Sequence, residues 1–204
     1  MYLWILATLI AFFIKGLCGF ANTLIFTSIL SFGSANVNIS PVDLILGCPT
    51  NLIMVWENRR KLDHKIYLPL SILVLAGSLP GAFLLKNVNA GAVKIVFGVA
   101  VIVVAGEMLL REYRQTKAPT SKILMFFGII AGLLCGLFGV GALLAAYVNR
   151  VTDDTRTFKA NISAVFVVEN TFRLITYSLL GLFTADILKK VCILIPFALL
   201  GLYG

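Results

Sequence analysis

Lys15 is the only charged side chain before Asp43, and from there apolar runs follow one another to the end of the chain. A run of about 20 such residues is long enough to cross a hydrocarbon core of about 30 Å as a helix. Lipid offers no partners to backbone amides, and nothing in the sequence shows the short alternating segments of a barrel, so the spans are expected to be helical. Sixty per cent of the residues are hydrophobic and only 13% are charged, which excludes an ordinary soluble domain. Met1-Tyr2-Leu3-Trp4 lacks the basic flank of a secretory signal, so the first run reads as a retained span. The four cysteines lie in or beside apolar segments without CxxC spacing, and small apolar filling accounts for them.

The connections divide the chain into spans over 3–30, 42–56, 66–85, 92–110, 123–148 and 157–182, with a last one starting at Thr184-Ala185-Asp186. The first is long for one crossing and needs a break between Gly16 and Asn22 or a strong tilt. Ser40-Pro41 reads as the cap and first-turn proline of the second span. The sequence thus predicts an all-α multi-pass integral membrane protein of about seven transmembrane helices. Residues 1–112 form a first repeat, 113–122 a polar linker, and 123–204 a second repeat that stops one span short of four. An even span count makes the two halves parallel.

The repeat is carried by glycines. Gly16, Gly19 and Ala21 fall at a constant offset on Gly136, Gly139 and Gly141. Gly128, Gly132 and Gly136 share one helical face and permit close backbone packing, which would explain them alone. Gly139 and Gly141 add more freedom than packing requires, and Asn22 and Thr23 bring polar groups into the first span. Interrupted helices at matching places in two halves point to a transporter's substrate site.

Basic residues gather in short connections, a pattern that orients a membrane protein and gives no sign of nucleic-acid binding. Arg59, Arg60, Lys61, Lys65, Arg111, Arg114, Lys117, Lys122, Lys189 and Lys190 outnumber Lys86, Lys94, Arg150, Arg156 and Lys159. The count places the N-terminus in the cytoplasm.

Charges at membrane depth usually face a cavity, pair with each other, or serve transport. Asn161, Glu169, Arg173 and Thr176 share a face of the sixth span, and Glu169 and Arg173 form an i, i+4 pair. Lys15 lies too deep to reach water easily; it would attract an anion or pair with Glu169. Thr50, Asn51, Glu57 and Asn58 are the second span's counterparts, with Glu57 at the interface, and His64 is solvated. The candidate substrate-binding residues are Lys15, Gly19, Asn22, Thr23, Gly139, Gly141, Asn161 and Arg173, with Glu169 as the coupling carboxylate. No metal-ligand cluster or nucleophile elbow is present, so no metal, cofactor or enzymatic activity is expected.

The two glycine-rich elements, Gly16-Leu17-Cys18-Gly19-Phe20-Ala21 and Gly132 to Gly141, each precede a small-and-polar span. In this the chain resembles the TauE/SafE family, also called the 4-toluene sulfonate uptake permease family. The resemblance covers nearly the whole chain and implies an inner-membrane permease of about eight spans for small sulfur-containing or organic anions. Where the family usually has a glycine triplet, this chain has Phe20-Ala21-Asn22 and Val140-Gly141-Ala142. The expected function is a secondary transporter of a small anion, a sulfur oxyanion or organosulfonate, in the lipid bilayer. The alternative is a membrane binding or assembly protein without a transport cycle.

Overall fold

The computed structural model describes residues 1–34, 36–87 and 154–204, with isolated positions 95, 99, 102, 106, 144, 145, 148 and 152. Among them are six α-helices and no strand: α1 (Tyr2–Cys18), α2 (Asn22–Leu30), α3 (Asn36–Glu57), α4 (His64–Asn87), α5 (Thr155–Leu179) and α6 (Ala185–Tyr203). A single 3-10 turn, Arg59–Lys61, joins α3 to α4. The linker 113–122 and the second glycine element lie outside the described residues.

The first expected span is broken between Gly19 and Ala21. Gly19 has φ 88° and ends α1; Ala21 has φ 76° and precedes α2. Two left-handed residues so close together take the chain out of the helix and return it. The packing shows the direction of return. Trp4, near the start of α1, meets Phe26 of α2 edge to face at 5.8 Å. Trp4, Ala7 and Ala11 share a core with Ile39, Val42 and Leu46 of early α3, while Lys15 late in α1 reaches Thr50 late in α3. Helices α1 and α3 therefore run the same way, with α2 turned back between them, and 1–30 is a re-entrant hairpin where one crossing was expected. At 17 residues α1 is about 25 Å long.

The courses of the remaining described helices follow from their contacts: α4 and α5 both start at the end that holds the Arg59–Lys61 turn. Ser163 of α5 lies beside Met54, and further along α5 Arg173 and Tyr177 meet Ser40 near the start of α3, so α5 runs antiparallel to α3. Parallel halves would have these two helices running alike, and that expectation is corrected by these contacts. Helix α6 runs parallel to α1: Lys190 lies over Trp4, and Gly201 packs on Leu9 and Phe13. The approach needs glycine on both sides. A Cβ on Gly201 would stand 2.8 Å from the Leu9 carbonyl oxygen, and one on Gly16 would collide with the carbonyl of Leu202.

Local sequence explains the helix starts. Asp154 caps α5 by accepting from the Thr157 amide and hydroxyl, each at 2.8 Å, and Thr184 caps α6 by accepting from the Ile187 amide at 3.4 Å. The start of α3 differs from expectation. It begins at Asn36, so Pro41 lies inside the helix with Pro49 and does not open it. Pro49 cannot donate to the carbonyl one turn back, and the Thr50 hydroxyl bonds to the neighbouring Leu46 and Gly47 carbonyls instead. Over Asn38–Glu57, α3 is long and apolar enough to cross a membrane.

One regrouping follows for the loops. Lys61 Nζ lies 3.5 Å from Asp154 Oδ2, and Asn161 Oδ1 accepts from the Asp63 amide at 2.9 Å. The loop with Arg59, Arg60, Lys61 and Lys65 thus shares one end of the bundle with Arg156 and Lys159. Lys189 and Lys190 lie at the other end, with the N-terminus. The charge count of the sequence had put Lys189 and Lys190 with the Arg59 loop and set Arg156 and Lys159 apart; taking 1–30 as one crossing had also put the N-terminus at the end of the Arg59 loop.

Candidate functional site

The hairpin break delivers polar side chains into a protein interior. Lys15 is in the last turn of α1, Asn22 and Thr23 are in the first turn of α2, and Asp43, Gly47, Thr50 and Asn51 lie along one face of α3 at helical spacing. From α5, Glu169, Asn170, Arg173 and Tyr177 face them. Lys15, Asp43, Glu169 and Arg173 are all at most 3% exposed. Formally these four charges cancel.

Each charge has a defined seat. Lys15 Nζ donates to Thr50 Oγ1 at 2.8 Å and lies 5.5 Å from the Phe12 ring centre. Thr50 can accept this bond because its own proton is directed at the helix carbonyls. Asp43 accepts from Asn22 Nδ2 at 3.0 Å on one oxygen and from Thr23 Oγ1 on the other. Arg173 donates to Ser40 Oγ at 2.6 Å and Tyr177 Oη at 2.9 Å, and its Nε lies 3.5 Å from Glu169 Oε1. That last contact is an ion pair without hydrogen-bond geometry, so Arg173 Nε and Glu169 Oε1 are both buried without a hydrogen-bond partner, as is Asn51 Oδ1. Asn170 and Asn22 flank Gly47: a Cβ there would stand 3.5 Å and 4.0 Å from their side-chain nitrogens.

Buried charges cost several kcal/mol each unless paired and hydrogen-bonded. A buried guanidinium and carboxylate with unused polar atoms can therefore accept a further polar ligand with little new desolvation. No group of three or more potential metal ligands occurs among the described residues.

The family model of the sulfite exporter TauE/SafE matches residues 4–204. The chain belongs to the TauE/SafE family. No curated protein and no solved structure matches it. The family is one of membrane transporters of sulfur compounds, not enzymes, and the helical architecture agrees with it. As a TauE/SafE protein, the chain has its buried charges where a membrane transporter can use them.

The structure brings Lys15, Asn22, Thr23, Glu169 and Arg173 into one cluster. Asn161 is not among them, because its side chain is committed to the loop end of the bundle: Oδ1 to Asp63, and Nδ2 to the Thr157 and Lys61 carbonyls at 2.8 Å and 3.4 Å. Gly19 shapes the break and faces Lys159, whose Nζ donates to the Gly16 carbonyl at 2.7 Å. Gly139 and Gly141 lie outside the described residues. Pairing of Lys15 with Glu169 does not occur; Glu169 is paired with Arg173. Asp43, Ser40 and Tyr177 are members the sequence reading missed. Asp43 carried a signal, a carboxylate in an apolar span on the same face as Thr50, that went unused.

Proposed function

We propose that this protein is a permease for a small anion, a sulfur oxyanion or organosulfonate, and that the anion binds at the α1–α2 break. One observation carries this: two buried cations from different helices, Lys15 and Arg173, converge on a helix break that also presents Asn22 and Thr23. Arg173 keeps a donor unused, and the positive end of α2 adds to the attraction. Glu169, against Arg173, is the proposed coupling carboxylate: protonating it would release the guanidinium's charge to the substrate. Glu169→Gln should then leave binding independent of pH.

The antiparallel course of α3 and α5 supports inverted-topology repeats, each glycine element followed by a helix of opposite direction. We also propose that the loop end faces the cytoplasm of an inner-membrane protein. Among the described residues, Arg59, Arg60, Lys61, Lys65, Arg156 and Lys159 lie there, against Lys86, Lys189 and Lys190 at the end that carries the N-terminus. This reverses the orientation expected from the sequence.

The test is thermal unfolding of the purified protein with sulfite, sulfate, thiosulfate, short sulfonates and carboxylates. A ligand at about 100 times its dissociation constant stabilises the folded state by about 2.7 kcal/mol. Selective stabilisation by a sulfur anion, lost in Arg173→Ala, is expected. A protein that responds to none of them, or an Arg173→Ala variant that responds as the wild type does, would remove the reading.

A further inference from the structure

Asp43 is a buried carboxylate seated on neutral donors while two buried cations nearby are engaged elsewhere. Its oxygens are held by Asn22 and Thr23, both in the first turn of α2, and α2 has no side-chain cap. No ion pair to Asp43 occurs among the described residues. The charges of Arg173 on α5 and Lys15 on α1 act on it through space. Lys15 itself rests on Thr50, and Arg173 on Ser40, Tyr177 and Glu169. Glu169 and the Cys48 thiol are the other titratable groups within electrostatic range. A carboxylate needed only for stability would gain most by contact with a cation. This one instead occupies the place where an anion would be received: two hydrogen-bond donors and an open helix N-terminus, with positive charge on either side.

We propose that Asp43 is an internal stand-in for the transported anion. The seat takes a small oxyanion with two terminal oxygens on one centre, as in a carboxylate, sulfonate or sulfite, because Asn22 binds one oxygen of Asp43 and Thr23 the other. Two anions cannot share it, since like charges a few ångströms apart in a buried site repel strongly. Substrate binds when α2 carries its donors away from Asp43, and the left-handed residues Gly19 and Ala21 are the joint on which α2 turns. When substrate leaves, Asp43 returns and the donors are never left bare. The inference rests on the permease reading and adds to it the group with which the substrate competes.

Chemical rescue tests it. Asp43→Ala empties the seat, and formate or methanesulfonate should raise the melting temperature of this variant at concentrations that leave the wild type unmoved; chloride, with no second oxygen, should not. Glu169→Ala removes a carboxylate from the same cluster and should show no such rescue. Absence of rescue in Asp43→Ala, or equal rescue in both variants, overturns the proposal. Should Asp43→Ala not fold, Asp43→Asn serves: sulfite should bind it at least tenfold more tightly than the wild type, and chloride, with no second oxygen, should gain much less. Equal gains for the two anions would mean that only net charge matters and would overturn the stand-in. If the wild type binds sulfite and Asp43→Asn binds it no better, the stand-in fails and the permease reading survives. If no anion stabilises wild type or variants, both fall.

Discussion

Lys15 Nζ rests on the Thr50 hydroxyl at 2.8 Å, and no carboxylate lies in ion-pair contact with it among the described residues. A buried ammonium held by a neutral oxygen contributes little to stability, because its desolvation is not repaid by a close opposite charge. Lys15→Met, similar in length and without the charge, should unfold at the same temperature as the wild type or higher. The stabilisation by sulfite should be lost. Thermal melts of both proteins with and without sulfite read the two effects separately; a variant that loses stability and keeps its sulfite response would make Lys15 structural.

Ala21 adopts φ 76°, a conformation that costs an L-residue roughly 1–2 kcal/mol and glycine nearly nothing. Ala21→Gly should therefore be stabilising by about 1 kcal/mol if the hairpin keeps its shape. Gly19→Ala should act the other way and more strongly: its φ is 88°, and the new Cβ would stand 2.8 Å from Lys159 Cγ. Denaturant unfolding of the two variants provides the comparison. Equal effects of the two substitutions would show that backbone strain at the break is unimportant.

The sequence offset that aligned Ala21 with Gly141 already marked this strain, since the second copy has glycine where the first has a left-handed alanine. The break itself was legible from the density of glycine, and the starts of α5 and α6 from Asp154 and Thr184 as capping residues. The folding-back of α2 was not. A helix that continues and one that reverses present the same apolar composition, and only packing, as of Trp4 on Phe26, distinguishes them. That ambiguity put the N-terminus at the same end as the Arg59 loop, whereas the direction of α5 turns on the crossings counted over 66–153, most of which lies outside the described residues. Lys15, Asn22, Thr23, Glu169 and Arg173 were readable as polar groups at membrane depth. Asn161 shares the α5 face with Glu169 and Arg173, but it lies two turns nearer the loop end, and spacing along a face does not give depth. Asp43 was passed over because a carboxylate near a span's expected start looks solvated; the true start at Asn36 puts it two turns inside.

The Asp154 carboxyl is pulled down to about 2 by the Thr157 amide and hydroxyl, with a smaller contribution from Lys61. A depressed folded-state value means that the stability this carboxylate contributes is fully present above its unfolded value of about 3.9 and is lost as pH falls through about 2. Asp154→Asn keeps a good capping residue and removes the titration. Its neutral-pH stability should match the wild type closely, and its unfolding midpoint should fall less steeply between about pH 4 and pH 2. The pair with Lys61 is half exposed at both ends, so added salt should change little in either protein. Identical acid slopes would show that the cap's charge is not felt.

The contact between Lys61 and Asp154 also fixes which residues must react from the same side of the membrane. In a background with Cys18, Cys48, Cys135 and Cys192 replaced by serine or alanine, single cysteines at Arg60, Thr155 and Tyr2 can be labelled with a membrane-impermeant thiol reagent. Arg60→Cys and Thr155→Cys should react together and Tyr2→Cys from the other side, because the first two belong to the loop end and Tyr2 opens α1 at the opposite end. Basic residues concentrated at the loop end further require that Tyr2→Cys be the one labelled in intact cells, with the other two reacting only after permeabilisation. The two results bear on different statements. Labelling of Arg60→Cys and Thr155→Cys from opposite faces would contradict the antiparallel course of α3 and α5, and labelling of Tyr2→Cys from the same face as Arg60→Cys would contradict the re-entrant hairpin. Labelling of those two, and not of Tyr2→Cys, in intact cells would leave the fold standing and reverse its orientation in the bilayer, so that the α1–α2 hairpin would enter from the cytoplasm.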